Sequence, residues 1–202
     1  MSAIVVAVGN QKGGVGKPPP TVNLGHAFAT SGIPPLIVDL DPQANATSAL
    51  GFEKKPGAGI YGPITGNGSA IDQVQATRSE NLWILPSELD LAAAELELGG
   101  QPDYLLKLRE CLATLKEGYG LSVILVDCPP TLGLLSMNAL CAADYLLVTL
   151  QCEYLALEGL GQILGVVDQL RDSGANNDLK VGGIAMTMFD NRKRLSYDVW
   201  EE

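Results

Sequence analysis

Residues Lys12-Gly13-Gly14-Val15-Gly16-Lys17 follow an apolar run, residues 3–8, and precede a stretch with helical spacing. Glycines let a backbone take positive φ and approach a ligand closely, and a helix N-terminus aims its free N–H groups at an anion. A lysine in such a loop adds a mobile positive charge, so the pattern fits a loop that wraps phosphate. The common form G-x-x-x-x-G-K-[ST] is only half met. Gln11 stands where its first glycine belongs, and Pro18 stands where the magnesium-binding hydroxyl belongs. The competing reading is a glycine-rich turn without a ligand. The second lysine, Lys12, and the position of the loop between strand and helix patterns weigh against it.

Two acidic segments have the placement that phosphate chemistry needs. Asp127 closes the run Val123-Ile124-Leu125-Val126 and is followed by Cys128-Pro129-Pro130. Its carboxylate is thus expected at the carboxyl edge of a sheet, where open α/β folds bind ligands. An acid there can hold magnesium through water. Asp39 and Asp41 flank Leu40 after another apolar run. Their carboxylates are expected on opposite sides, so that one at most faces a phosphate easily. Any one of these aspartates alone reads as a turn cap. Together, at the ends of runs flanking a phosphate loop, they read as a site.

The motifs resemble one family over nearly the whole chain. Lys12 to Lys17, in the form K-G-G-x-G-K, is similar to the deviant Walker A loop of the ParA/MinD group of P-loop ATPases. Asp39-Leu40-Asp41-Pro42-Gln43-Ala44-Asn45-Ala46-Thr47-Ser48 resembles the switch segment of ParA/Soj proteins. Further likenesses are Asp127-Cys128-Pro129-Pro130-Thr131-Leu132-Gly133, the ten residues from Gln151 to Leu160, and Met188-Phe189-Asp190-Asn191-Arg192. The Gln151-Cys152-Glu153-Tyr154 segment resembles ParA rather than MinD or the nitrogenase iron protein.

This resemblance implies a cytoplasmic, nucleoid-associated switch that uses ATP and Mg2+. Two ATP-bound subunits form a homodimer around the nucleotides, bind DNA nonspecifically, and let go when a ParB-type partner stimulates hydrolysis. Carried over by motif, Lys12 reaches the phosphates of the opposite subunit. Gly13, Gly14, Val15, Gly16, Lys17, Pro18 and Pro19 occupy the phosphate cradle, with Lys17 on the β- and γ-phosphates. Asp41 places the attacking water, and Asp127 is the magnesium-side acid, with Asp41 beside it. Phosphoryl transfer relies on positioning and charge neutralisation, so this small set suffices in principle.

Two departures bear on activity. The family carries threonines after the loop lysine, whereas Pro18 has no hydroxyl, and Pro18 and Pro19 have no N–H to donate. With a hydrogen bond to a charged group contributing about 1.5–3 kcal/mol, losing two weakens phosphate binding by roughly 3–6 kcal/mol. Proline is tolerated in a first helical turn, yet it pushes the residue before it toward extended geometry. The helix is therefore expected to start near Pro20 or Thr21, held by packing of Val22, Leu24 and Phe28. Thr21 then lies a turn beyond the place of the missing hydroxyl. The second departure is that family members continue past Glu202 with nucleotide-base and DNA contacts, so a single domain lacking that segment is expected.

The rest of the chain must position these groups. Short apolar runs alternate with helical patterns, which predicts one domain with a mainly parallel twisted sheet and helices on both faces. Strands are expected at residues 3–8, 36–39, 82–85, 123–127, 145–150 and 181–188. Helices are expected at residues 21–31, 89–98, 103–117, 134–142 and 155–171, with a long loop over 52–81 holding one short helix at 70–74. The 202 residues suffice for one good core. With 47% hydrophobic and 18% charged residues, no apolar stretch of membrane-spanning length and no basic-then-apolar leader, membrane insertion and secretion are not expected. The net charge of −10 gives no overall nucleic-acid footprint, and the one dense basic cluster is Arg192-Lys193-Arg194. Cys111, Cys128, Cys141 and Cys152 lack C-x-x-C spacing, so they read as reduced thiols, and the single histidine, His26, as a packing or surface residue.

Overall fold

The structure, a computed structural model, describes residues 2–10, 20–118, 120–151, 155–188 and 192. In chain order the elements are β1 (Ile4–Asn10), α1 (Pro20–Thr30), β2 (Pro35–Asp39), α2 (Asn45–Ala49), α3 (Tyr61–Ile64), α4 (Ala70–Gln73), β3 (Gln75–Ala76) and β4 (Trp83–Leu85). There follow α5 (Leu91–Leu98), α6 (Lys107–Gly118), β5 (Val123–Asp127), α7 (Leu134–Ala142), β6 (Tyr145–Gln151), α8 (Leu155–Asp172) and β7 (Lys180–Thr187). The strands form one sheet in the order β3-β4-β2-β5-β1-β6-β7. Every pairing is parallel except β3 with β4. A mainly parallel sheet with helices on both faces is therefore what the alternation of runs and helices predicted.

The period of two explains why both faces are covered. Leu36, Val38, Leu85, Ile124 and Val126 enter a core with α5, α6, α7 and α8, whereas Ile37, Ile84, Val123 and Leu125 enter a second core with Val22 and Ala29 of α1. Successive residues of β2 and β5 thus point into opposite cores, and every residue of both strands is buried. Such runs read as continuously apolar, as parallel strands covered on both faces do. Leu24 and Phe28 pack against the second core beside Val22, the packing expected to hold the first turn of α1.

The region 52–81 departs from expectation. The short helix near Ala70 is present, but α3 and the two-residue strand β3 also form there, β3 pairing antiparallel at the sheet edge. Four-residue and two-residue elements carry too little periodicity to stand out among glycines and prolines. Helix α6 begins at Lys107 rather than 103, because Asp103 has a positive φ of 54° and turns the chain before it. Its entry is fixed from outside: Asn138, fully buried in α7, accepts from the Leu108 N–H at 3.1 Å and donates to the Tyr104 carbonyl at 2.8 Å. The C-terminal end of α7 is satisfied in the same way by Asn176, whose Nδ2 donates to the carbonyls of Leu140, Cys141 and Ala143. No helix among the described residues is long and apolar enough to cross a membrane.

Candidate functional site

The parallel register builds the site. Val8 of β1 and Asp39 of β2 are both Cα partners of Asp127 on β5, so three adjacent strands end in one row. The chain leaves this edge at Asn10 and returns to it in the first turn of α1, where the Thr21 hydroxyl donates to Asp127 Oδ1. Residues 11–19 join those two points. Lys12, Gly13, Gly14, Val15, Gly16, Lys17, Pro18 and Pro19 lie outside the described residues, as do Cys152, Glu153 and Tyr154 of the Gln151 segment.

The two aspartates of the Asp39-Leu40-Asp41 segment have different surroundings. Asp39 is fully buried, and its oxygens are engaged by its own loop. Oδ2 accepts from Thr47 N and Thr47 Oγ1, each at 2.7 Å, and Oδ1 accepts from Asp41 N at 3.2 Å. Asp39 thereby ties the Thr47 amide of α2 to the end of β2. Asp41 is 8% exposed, and its Oδ1 accepts from Gln43 N at 2.9 Å. Among the described residues its second oxygen takes no hydrogen bond. Leu40, between them, points into the core. The carboxylates were expected on opposite sides; a period of two instead gives residues 39 and 41 the same side, away from Leu40, and of the two only Asp41 has an oxygen without a hydrogen bond among the described residues.

Three carboxylates within one buried edge repel one another and lack hydration. Burial, then the charges of Asp39 and Asp41, raise Asp127 to about 8, against the opposing effect of the Thr21 hydrogen bond. Burial raises Asp39 to about 6 despite its hydrogen bonds from Thr47 and Asp41. Asp41 is also raised by burial, with Gln43 N and the Lys54 charge acting the other way. A cation bound here would offset that repulsion. Among the described residues no three His, Cys, Asp or Glu side chains are grouped as a metal cage. Magnesium takes one or two carboxylates and fills its remaining positions with water and phosphate oxygens.

Sequence reasoning passed over the residues that brace these acids. Thr21, Thr47 and Ser87 are buried hydroxyls on α1, α2 and the β4–α5 loop. Nothing in their spacing marks them, since each acts on a residue distant in sequence. Glu88, fully buried in the same loop, accepts from Gly57 N through Oε2, and its Oε1 has no partner among the described residues. On the far side of Asp127, the 128–133 loop is fastened at both ends. Cys128 N donates to Val8 O at 3.1 Å, and Glu95 of α5 accepts from Leu135 N, in the first turn of α7, at 3.2 Å. Under that loop lies a small pocket lined by Gly9, Cys128, Ser136, Leu146 and Ile163. Cys128 is half-buried there, and burial together with the Asp127 charge pushes its thiol pKa up. His26 is exposed, with Nδ1 3.3 Å from Ser79 Oγ, the surface role expected of it.

A phosphate-loop sequence joining β1 to α1, followed by acids at the ends of β2 and β5, defines a nucleotide-binding α/β protein. The chain belongs to the AAA domain family (AAA_31), whose model matches residues 3–181. Within it the chain belongs with the ParA/Soj partitioning proteins. It is 44% identical over 199 residues to the sporulation initiation inhibitor protein Soj of Bacillus subtilis, covering 98% of this chain and 78% of that protein. It is 42% identical to the chromosome partitioning protein ParA of Myxococcus xanthus, over 98% of this chain and 69% of that one. Among solved structures it resembles cobyrinic acid a,c-diamide synthase from Mycobacterium smegmatis with bound ADP and magnesium, at a TM-score of 0.89 and 35% identity, over 98% of this chain and 80% of that one. An McdA–ATP complex from Cyanothece shares the fold at a TM-score of 0.88, with 24% identity over 99% of this chain and 77% of that one.

Proposed function

We infer that this chain is a single P-loop domain acting as an ATP- and Mg2+-dependent switch in DNA segregation. It dimerises on ATP binding, holds DNA nonspecifically on the nucleoid and answers to a ParB-type partner. The observation that carries the reading is the meeting of Asp127, Asp41 and Thr21 at the carboxyl edge, between the two ends of the segment that contains Lys12 and Lys17. The names of the relatives, chromosome-partitioning proteins among them, supply the cellular role.

Gly13 to Lys17 would hold the phosphates and Lys12 would cross to the second subunit. Asp127 would hold Mg2+ through water, with Asp41 on the same side. The ion, when bound, neutralises charge on the phosphate oxygens. The remaining work falls to the chain. The free oxygen of Asp41 accepts a hydrogen bond from the attacking water and orients it, a positioning role suited to phosphoryl transfer. Thr21 keeps the Asp127 carboxylate turned toward the edge.

Pro18 and Pro19 favour a second reading, in which the fold persists as a partner-binding or dimerising module with little turnover. Magnesium-dependent ATP turnover, with and without DNA, separates the two. Turnover is expected to be weak in the chain as written and to recover when Pro18 and Pro19 are both changed to Thr. Robust turnover by the unmodified chain, abolished by Lys17→Ala, would show that the loop tolerates its prolines. Failure of both forms to bind ATP with magnesium would establish the module reading.

A further inference from the structure

Asp41 lies where strand pairing has run out. On the β4 side the ladder stops at Val38 and Leu85, two residues before Leu40 and Ser87. On the β5 side Leu40 N still donates to Asp127 O at 3.0 Å. The segment that carries the water-placing acid is therefore held on one side by backbone and on the other by side chains alone.

Those side chains form a closed chain of hydrogen bonds. Ser87 Oγ donates to Asp41 O at 2.7 Å, and Ser87 N donates to Thr47 Oγ1 at 2.9 Å. The Thr47 hydroxyl then gives its proton to Asp39 Oδ2 at 2.7 Å, and Asp39 Oδ1 accepts from Asp41 N at 3.2 Å. The circuit leaves Asp41 at its carbonyl and returns at its amide. Asp39, Thr47 and Ser87 are each at most 1% exposed, so no water competes with these bonds. Buried hydrogen bonds of this kind hold geometry tightly because leaving one unmade strands a polar group.

We propose that Ser87 and Thr47 are positioning residues for Asp41: they join the β4–α5 loop to the 39–47 segment and fix the direction of the Asp41 carboxylate. This rests on the assignment of Asp41 as the water-placing acid. Both hydroxyls donate within the chain, Ser87 to Asp41 O and Thr47 to Asp39 Oδ2. Their loss misdirects Asp41 without weakening ATP binding, so the effect falls on kcat rather than on KM. Thr47→Val is nearly isosteric and removes the hydroxyl; Thr47→Ser keeps it and removes a methyl.

The test has two readouts. Hydrogen exchange on the chain as it stands measures the circuit directly. Ser87→Ala and Thr47→Val should each speed exchange at the Asp41, Gln43 and Ala44 amides by tenfold or more, with Ile37 and Leu125 unchanged and with Thr47→Ser near the parent rate. Steady-state kinetics are then measured in whichever form turns over, the parent or the Pro18→Thr, Pro19→Thr chain. The two hydroxyl-removing variants should lose tenfold or more in kcat with KM within twofold, and Thr47→Ser should recover most of it. Unchanged exchange at Asp41 would overturn the circuit, as would Thr47→Ser behaving like Thr47→Val. Altered exchange with unaltered kcat would overturn the link to Asp41 chemistry. If neither form hydrolyses ATP, the ATPase reading fails, and the exchange result still decides whether the circuit holds the segment.

Discussion

Replacing Asp127 by Asn should stabilise the chain at alkaline pH while removing the acid proposed to hold magnesium. The Asp127 carboxyl is raised to about 8 against an ordinary value of 3.8. The folded state therefore keeps a proton that the unfolded state has released, and stability falls as pH rises between those two values. Asp39, raised to about 6, contributes its own loss at the lower end of that window. Asp127 extends that loss up to about 8, and Asp41, also raised by burial, adds to it in the same direction. At about 1.36 kcal/mol per unit the full shift sets a ceiling of roughly 5–6 kcal/mol. Since Asp39 and Asp41 repel Asp127 and share its desolvation, about half that, ~2–3 kcal/mol, is the expected gain for Asn. In a chain of 202 residues this corresponds to ~5–10 °C in Tm at about pH 8.5. The assay is thermal unfolding followed by circular dichroism between about pH 5 and 9 in EDTA. The parent should lose Tm between about pH 6 and 8 while the Asn variant stays level over the same range. His26 is exposed and common to both chains, so it cancels in the difference. A parent whose Tm holds or rises across that range, or a variant that tracks it, would refute the crowded-acid account.

Other expectations follow from particular contacts. A Cβ at Gly133 would overlap the Glu95 carboxylate, so Gly133→Ala should cost about 1–3 kcal/mol in urea unfolding, and much less when combined with Glu95→Ala. Asn176→Ala strands the carbonyls of Leu140 and Ala143 at the end of α7, while that of Cys141 keeps Arg109, and should cost about 2–3 kcal/mol, measured the same way. Lys12→Ala should abolish ATP-dependent dimerisation in sedimentation while leaving nucleotide contact less affected, and an unchanged ATP-induced dimer would count against the cross-subunit role.

The framework was readable because its signals are strong in a single sequence. The runs around Ile37 and Leu125 are apolar at every position, which marks strands covered on both faces, and β5 and α7 have the bounds their periodicity predicts. The Asp127 placement followed from that run alone. The bracing was not readable. Ser87 acts on Asp41 from 46 residues away, and Glu95 on Leu135 from 40. Such pairs leave no local pattern, because what matters is where β4 and β2 end relative to each other. Strand register decides that, and only folding reveals it.

The division of labour between Asp39 and Asp41 shows the same boundary within one tripeptide. Alternation alone puts positions 39 and 41 on one side of the chain and assigns them no roles. The assignment comes from α2, a five-residue helix too short to announce itself. Its Thr47 presents an amide and a hydroxyl to Asp39, and Asp39 engages both oxygens within the chain. Asp41 then closes the turn through Gln43 N with one oxygen, and its other oxygen takes no hydrogen bond among the described residues. An acid with every acceptor engaged holds a loop; one with an acceptor left over can hold a water. On that ground Asp39→Asn should unsettle the loop and Asp41→Asn should spare it, whatever either does to turnover. Hydrogen exchange at the Thr47 amide reads the difference, and equal effects of the two variants there would remove the distinction.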